Sequence, residues 1–296
     1  MKKLLLIYNP HAGKALIKNK LSEIVEFITK SGFEITIYST LYSGHAKEIV
    51  KARAGEFDIV VCSGGDGTLD EVVTGIMEKE LDTVVGYIPA GSTNDFANSL
   101  RLPKTMVNAA KLIENGSVVS CDVGQFNEDS FVYIAAFGLF TDVSYQTSQE
   151  LKNVLGHAAY LLEGVKRLAN IMAYDLKVYH DDEVIEGRFI YGMITNSLSV
   201  GGFQGMTGRN VKLDDGLFEV MLIREPKNPI ELQNIITSLL LAEEADSRYI
   251  LSFKTDNLRI EAKDNISWTL DGEFGGDYKD VDIKVRKRAL KILVKK

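Results

Sequence analysis

The feature that most constrains the fold is a change of pattern near residue 122. Before it, short β-rich runs at residues 3–8, 34–39, 59–62 and 83–88 alternate with helical periods near 18–31, 46–54, 69–78 and 105–114. Each helix then carries the chain back over the sheet by a right-handed crossover, which specifies parallel strands with helices on both faces. After it, β-rich runs at 130–136, 175–180, 188–195, 217–223 and 257–261 are separated by turns, with helical interruptions at 154–171 and 229–241. Pro226 and Pro229 stand near the start of the second interruption, where proline is tolerated. The expected fold class is therefore α/β plus all-β. An N-terminal doubly wound α/β domain would occupy residues 1–122 and a C-terminal antiparallel β-sandwich domain residues 123–296, with a ligand cleft between them.

The most informative turn is Ser63-Gly64-Gly65-Asp66-Gly67-Thr68, which follows the third β run and precedes a helical period. Three glycines allow close backbone approach to a phosphate, and a helix N-terminus offers free N–H groups with a favourable dipole. Thr68 with Glu71 three positions later forms a capping-box pattern, which sets the expected helix start. The chain has neither a GxxxxGK[ST] loop nor a GxGxxG fingerprint. Asp66 among these glycines would repel a phosphate unless a divalent cation stood between them, so the turn points to a metal-bound nucleotide. A tight strand-to-helix turn without ligand is the bland alternative.

Composition removes other classes. A net charge of −7 argues against a nucleic-acid binder, which needs clustered Lys and Arg. Only residues 284–296 are distinctly basic, and their alternation with Val285, Leu290, Ile292 and Val294 reads as edge strands with one wet face. Cys62 and Cys121 are too few for a disulfide scaffold, which suits a reducing compartment. No apolar stretch reaches the roughly 18 residues of a membrane-spanning helix, so any membrane contact is expected to be peripheral.

Gly64-Gly65-Asp66-Gly67-Thr68 resembles the signature shared by lipid kinases and NAD kinases. Other elements flank it in order along the chain: Asn9-Pro10 with Gly13-Lys14 before it, and Ile88 to Ala97 (IPAGSTNDFA), Asp122-Val123-Gly124, Lys212-Leu213-Asp214-Asp215-Gly216-Leu217-Phe218 and Asp271-Gly272-Glu273 after it. Together they resemble the soluble bacterial diacylglycerol kinases and their relatives over nearly the whole chain. The resemblance implies transfer of the ATP γ-phosphate to a lipid hydroxyl, with diacylglycerol giving phosphatidic acid as the first expectation. Another lipid alcohol (a sphingoid base, phosphatidylglycerol or a prenol) and NAD remain rival acceptors.

What the resemblance implies for the residues is specific. Asn9, Thr40, Gly64, Gly65, Asp66, Gly67, Thr68, Leu69, Asp70, Glu71, Thr93 and Asn94 are the expected ATP contacts, with Lys14 helping to hold phosphate. Asp66 and Asp122 would hold catalytic Mg²⁺, partly through water, and Asp271 or Glu273 would be the general base. Asp215, with the carbonyls of Lys212 and Leu217, would bind a structural Mg²⁺. Expected partners are ATP and a membrane lipid at a bilayer surface, with a homodimer suggested by the family alone. The expected location is the cytoplasm, peripheral to the inner membrane surface.

Several of these positions also have structural readings. Asn94 and Asp95 follow a Gly-Ser-Thr run and suit a helix cap, while Asp214-Asp215-Gly216 and Asp271-Gly272 suit hairpin turns. His45 reads as an exposed loop residue, and His11, His157 and His180 have no metal-ligand spacing. The chain departs from the family pattern at Asp70, where Asn is usual, at Ser92, at Asn98 and at Glu163; Arg101 or Lys166 is the expected source of compensating positive charge.

Overall fold

The computed structural model describes residues 1–139, 141, 171–200, 203–204, 211–241 and 248–296. The helix expected at 154–171, apart from Ile171, lies outside the described residues, as do His157, Glu163 and Lys166.

The first half builds four parallel strands, β1 (Lys2–Tyr8), β2 (Phe33–Ser39), β3 (Ile59–Gly64) and β4 (Val84–Pro89), in the order β2-β1-β3-β4. Leu4 to Ile7 read as a continuous apolar run because both faces of β1 are covered, and all four side chains are fully buried. The crossovers carry α1 (Ile17–Lys30), α2 (His45–Arg53) and α3 (Asp66–Glu78). On α1, Ile17, Ile24 and Ile28 recur at helical spacing and form its buried face. The remaining first-half helices are short: α4 (Asp95–Ser99), α5 (Met106–Ala110) and α6 (Leu112–Asn115). The single helix expected at 105–114 is thus split, with Lys111 between the two pieces.

Strand β5 (Ser117–Phe126) runs through residue 122 and leads into β6 (Asp129–Phe131) and β7 (Ile134–Gly138). The second half continues with β8 (Tyr174–His180), β9 (Glu183–Thr195), the short pair β10 (Ser199–Val200) and β11 (Phe203–Gln204), then β12 (Phe218–Arg224) and α7 (Pro229–Leu241). It ends with β13 (Ile250–Thr255), β14 (Asn257–Leu270) and β15 (Glu273–Val294). Strands β9 and β14 each pair with β8 along their first part and with β7 along their last, so these four strands close on themselves. The apolar cluster of this half includes Phe137, Phe189, Leu258 and Trp268. The Trp268 ring meets Phe137 and Phe126 edge-on at 4.8 and 5.0 Å.

Residues 284–296 are not edge strands. At Ile292, β15 pairs antiparallel with Val119 of β5 on one side and parallel with Val85 of β4 on the other, and Leu290 and Ile292 are buried. The alternation that suggested a wet face belongs to a strand flanked on both edges.

Candidate active site

The strand order reverses between β1 and β3: from β1 the chain moves to β2 on one side, and from β3 to β4 on the other. Such a switch point opens a crevice at the carboxyl ends of the strands. Here the crevice is a cleft of ≈ 390 Å³ lined by three successive strand-end loops. Asn9, His11 and Ala12 follow β1, Thr40 to Ser43 follow β2, and Gly65, Gly67, Thr68 and Glu71 follow β3. Glu273 closes it from the second half.

The glycine-rich turn is held by its neighbours. Asn9 Nδ2 donates to Thr68 Oγ1 at 3.2 Å, and Asn9 Oδ1 accepts the His11 N–H at 2.9 Å. A Cβ on Gly64 would stand 2.4 Å from the Thr68 Cβ, so glycine is required where the strand meets the helix. Helix α3 begins at Asp66, three residues earlier than expected, and no side chain caps it. The capping box does not form: Glu71 instead accepts the N–H groups of Gly44 and Ala46 at 2.7 and 2.9 Å, capping α2. The start of α3 is left open toward the cleft for an anion.

Asp66 Oδ2 accepts the Asp95 N–H at 3.0 Å, while Oδ1 is buried with no hydrogen-bond partner among the described residues. Burial, reinforced by the charges of Asp95 and Asp271, pushes the Asp66 carboxyl up to about 7. An unpartnered buried oxygen among like charges is what a divalent cation would satisfy, so the residues present fit Mg²⁺.

The second half reaches this site through a two-residue hairpin. Asp271 (φ 50°) and Gly272 (φ 86°) both adopt the left-handed region between β14 and β15, as an Asp-Gly turn of this kind requires. Asp271 Oδ2 accepts the Val132 N–H at 2.5 Å, and its Oδ1 accepts those of Tyr133 and Ile134 at 2.9 Å each. Burial raises its carboxyl to about 6 while those three bonds oppose the rise. Glu273, one residue beyond the tip, is exposed to the cleft, and its Oε1 lies 3.0 Å from where a Cβ on Gly67 would stand. Burial, with the nearby Glu71 charge, raises the Glu273 carboxyl.

Other expected contacts are placed elsewhere. Leu69 is buried in the core and presents no side chain to the cleft. Asp70 lies outside the cleft lining and meets Asp271. Asn94, at φ 55°, clamps its own loop by exchanging two 2.9 Å bonds with Gly91. Thr93 accepts the Asn98 amide through its carbonyl, and Lys14 is exposed on the turn after β1; neither lines the cleft.

The Asp122 carboxylate is fully buried and accepts the N–H groups of Gly216 at 2.6 Å and Arg288 at 2.7 Å, so in this structure it clamps the 212–217 loop. Within that loop Asp215 accepts the Leu217 N–H at 3.2 Å. Lys254 stands 3.6 Å from Asp215 but 2.7 Å from Glu219. Among the described residues no three His, Cys, Asp or Glu side chains gather as a ready-made metal cage.

The cleft also contains residues that no motif announced. Leu41 and Tyr42 are 76% and 56% exposed at its mouth, and the Tyr42 ring stacks on His45 at 4.7 Å. Their position after a parallel strand was the available signal.

Comparison with known proteins accounts for this arrangement. Residues 3–126 match the model of the diacylglycerol kinase catalytic domain, and residues 136–294 that of the YegS C-terminal NAD kinase beta sandwich-like domain. The chain is 32% identical over 278 residues to a diacylglycerol kinase of Bacillus subtilis (strain 168), covering 93% of this chain and 91% of that one. It is 34% identical over 272 residues to one from Staphylococcus saprophyticus, covering 92% and 88%. The crystal structure of a diacylglycerol kinase from Bacillus anthracis str. Sterne, 23% identical, shares the fold with TM-score 0.77 over 99% of this chain and 97% of that one. A second crystal structure from that organism reaches 0.83 at 26% identity, with the same coverage. The glycine-rich turn at a parallel-sheet switch point and the β domain that reaches it are thus those of an ATP-dependent lipid kinase, and the chain is a member of the diacylglycerol kinase family.

Proposed function

We propose that the lipid acceptor is diacylglycerol, converted to phosphatidic acid, and that Glu273 is the general base that takes the proton from its hydroxyl. One observation carries this reading. Glu273, from the strand that begins the hairpin's return, faces Gly67 at the open start of α3 within the same cleft. Asp271 is the poorer base because three N–H donors already occupy its oxygens. Burial raises both carboxyls, which suits proton abstraction near neutral pH, so access to the cleft is what separates them.

In this mechanism the start of α3, with Asn9 and Thr68, receives the phosphates, and Leu41 and Tyr42 offer the nucleotide base an apolar and aromatic surface. Mg²⁺ when bound supplies the charge neutralisation that phosphoryl transfer needs, and Asp66 is the residue suited to hold it. A second Mg²⁺ on Asp215 and the carbonyls of Lys212 and Leu217 is a separate proposal, supported by Lys254 lying closer to Glu219 than to Asp215. Residues 1–122 serve the nucleotide and 123–296 the lipid. No helix among the described residues is long and apolar enough to cross a membrane, and the proposed site of action is the cytoplasmic bilayer surface, reached peripherally and as a homodimer.

The test is labelled ATP with Mg²⁺ and mixed micelles carrying, in turn, diacylglycerol, phosphatidylglycerol, sphingosine or a prenol, with NAD alone as a further arm. Diacylglycerol should be labelled most rapidly, and Glu273→Gln should lower that rate by about 10²–10⁴-fold. Preference for another lipid overturns the acceptor, and an unchanged E273Q rate overturns the base.

A further inference from the structure

Asp70 stands one helical turn beyond Asp66 on α3 and faces away from the cleft. Its carboxyl is in hydrogen-bond contact with that of Asp271, which belongs to the hairpin of the other half. Two touching carboxyls cannot both be ionised without strong repulsion, so one of them holds a proton.

The geometry decides which. Asp271 accepts three backbone N–H groups, from Val132, Tyr133 and Ile134, and donors of that kind stabilise an anion. Besides the contact with Asp271, the one hydrogen-bond donor to Asp70 among the described residues is the Thr74 hydroxyl, at 3.4 Å on Oδ1. The groups facing Asp70 add to the asymmetry. Asp129 near the start of β6, Glu71 on the same helix and Asp271 are all acidic. Lys47 of α2 is the cation in range, and it is committed to Glu78 at 2.6 Å. Burial and these charges hold the Asp70 carboxyl well above its ordinary range.

We propose that Asp70 is a positioning residue whose carboxylic acid donates a hydrogen bond from α3 to the Asp271 carboxylate, holding the hairpin tip, and hence Glu273, against the phosphate-binding turn. The inference rests on the reading of Glu273 as base. Its chemical content is a bond between α3 and the hairpin that exists only while Asp70 keeps its proton. Glu273 is one residue past the tip, so release of the tip misplaces the base without touching any nucleotide contact.

The sign of the pH effect follows. In the unfolded chain Asp70 ionises near its reference value of about 3.9, whereas the folded chain keeps the proton to higher pH. The folded state therefore binds more protons over that interval, and its stability falls as pH rises through it. Asparagine supplies an N–H donor of similar shape with no proton to lose.

The experiment compares wild type, Asp70→Asn, Asp70→Ala and Glu273→Gln by thermal melts and by kcat and KM for ATP across pH 5 to 9. D70A should lose kcat on the order of 10²-fold with KM for ATP held, as expected for a misplaced catalytic group. D70N should restore that loss, abolish the alkaline fall in kcat, and show a flatter dependence of Tm on pH than wild type. Equal losses in D70N and D70A overturn the proposal, since Asp70 would then act as a carboxylate. Parallel melting profiles for wild type and D70N overturn it as well, because the proton would be absent. The melts need no substrate, so they judge the Asp70–Asp271 bond even if E273Q retains full turnover, a result that would sink the base reading alone.

Discussion

Gly67→Ala separates activity from stability in a way the structure makes quantitative. The added methyl would lie 3.0 Å from Glu273 Oε1, 3.4 Å from its Cγ and 3.6 Å from its Cδ, tight enough that one partner must move by a few tenths of an ångström. Glu273 is the mobile partner, being the end of a flexible, exposed side chain, whereas Gly67 lies in the first turn of a 13-residue helix. A general base works within about 2.6–3.2 Å of the proton it takes, so a shift of that size removes its alignment. A loss on the order of 10²-fold in kcat corresponds to about 2.7 kcal/mol of transition-state stabilisation. Stability should move the other way, because replacing a helical glycine by alanine stabilises by roughly 0.4–1 kcal/mol. At about 2–4 °C per kcal/mol for a chain of this size class, Tm should rise by roughly 1–4 °C. Steady-state kinetics with saturating lipid and varied ATP, beside a thermal melt, is the assay. A rise in KM for ATP with kcat unchanged would mean that the methyl blocks phosphate and leaves Glu273 in place, refuting the reasoning; so would a Tm several degrees lower.

Two further outcomes are expected. Asp66 must be ionised to hold a cation and titrates at about 7, so the Mg²⁺ concentration giving half-maximal turnover should fall as pH rises through that value, and D66N should remove the dependence. Asp122→Asn places an amide donor against the N–H of Gly216 or Arg288, leaving a buried group unpaired at about 1–3 kcal/mol, so Tm should drop by roughly 2–12 °C; an unchanged melt would count against the clamp.

What could be read from the sequence was local. The parallel half declared itself through runs such as Ile59 to Cys62, whose side chains are all buried in a strand covered on both faces. The glycine turn and the Asp271-Gly272 hairpin were readable because their backbone geometry demands those residues. Long-range relations were hidden. The Thr68 and Glu71 spacing satisfied a capping rule, yet Glu71 was recruited by α2, more than two dozen residues away in sequence. That the Asp122 carboxylate binds backbone 94 and 166 residues further on was likewise out of reach of any local pattern. Strand β13, and the full lengths of β14 and β15, were obscured by charged residues such as Lys263 and Asp264 where the ladder shifts register.

The 22-residue span of β15 carries a consequence for how the molecule is made. Val84 and Val85 wait for Lys291 and Ile292, some two hundred positions later in synthesis, before their edge of the nucleotide sheet is paired. Folding of the first half is thereby tied to completion of the second, a high contact order that slows assembly and leaves an unsatisfied sheet edge during translation. Because the same ribbon starts at Glu273 and ends beside β4, a bend along it would move Glu273 relative to the parallel sheet. Any flexing between the halves would therefore pass along this shared strand together with β5, whose Asp122 pins Arg288 at the register shift between Arg286 and Leu290.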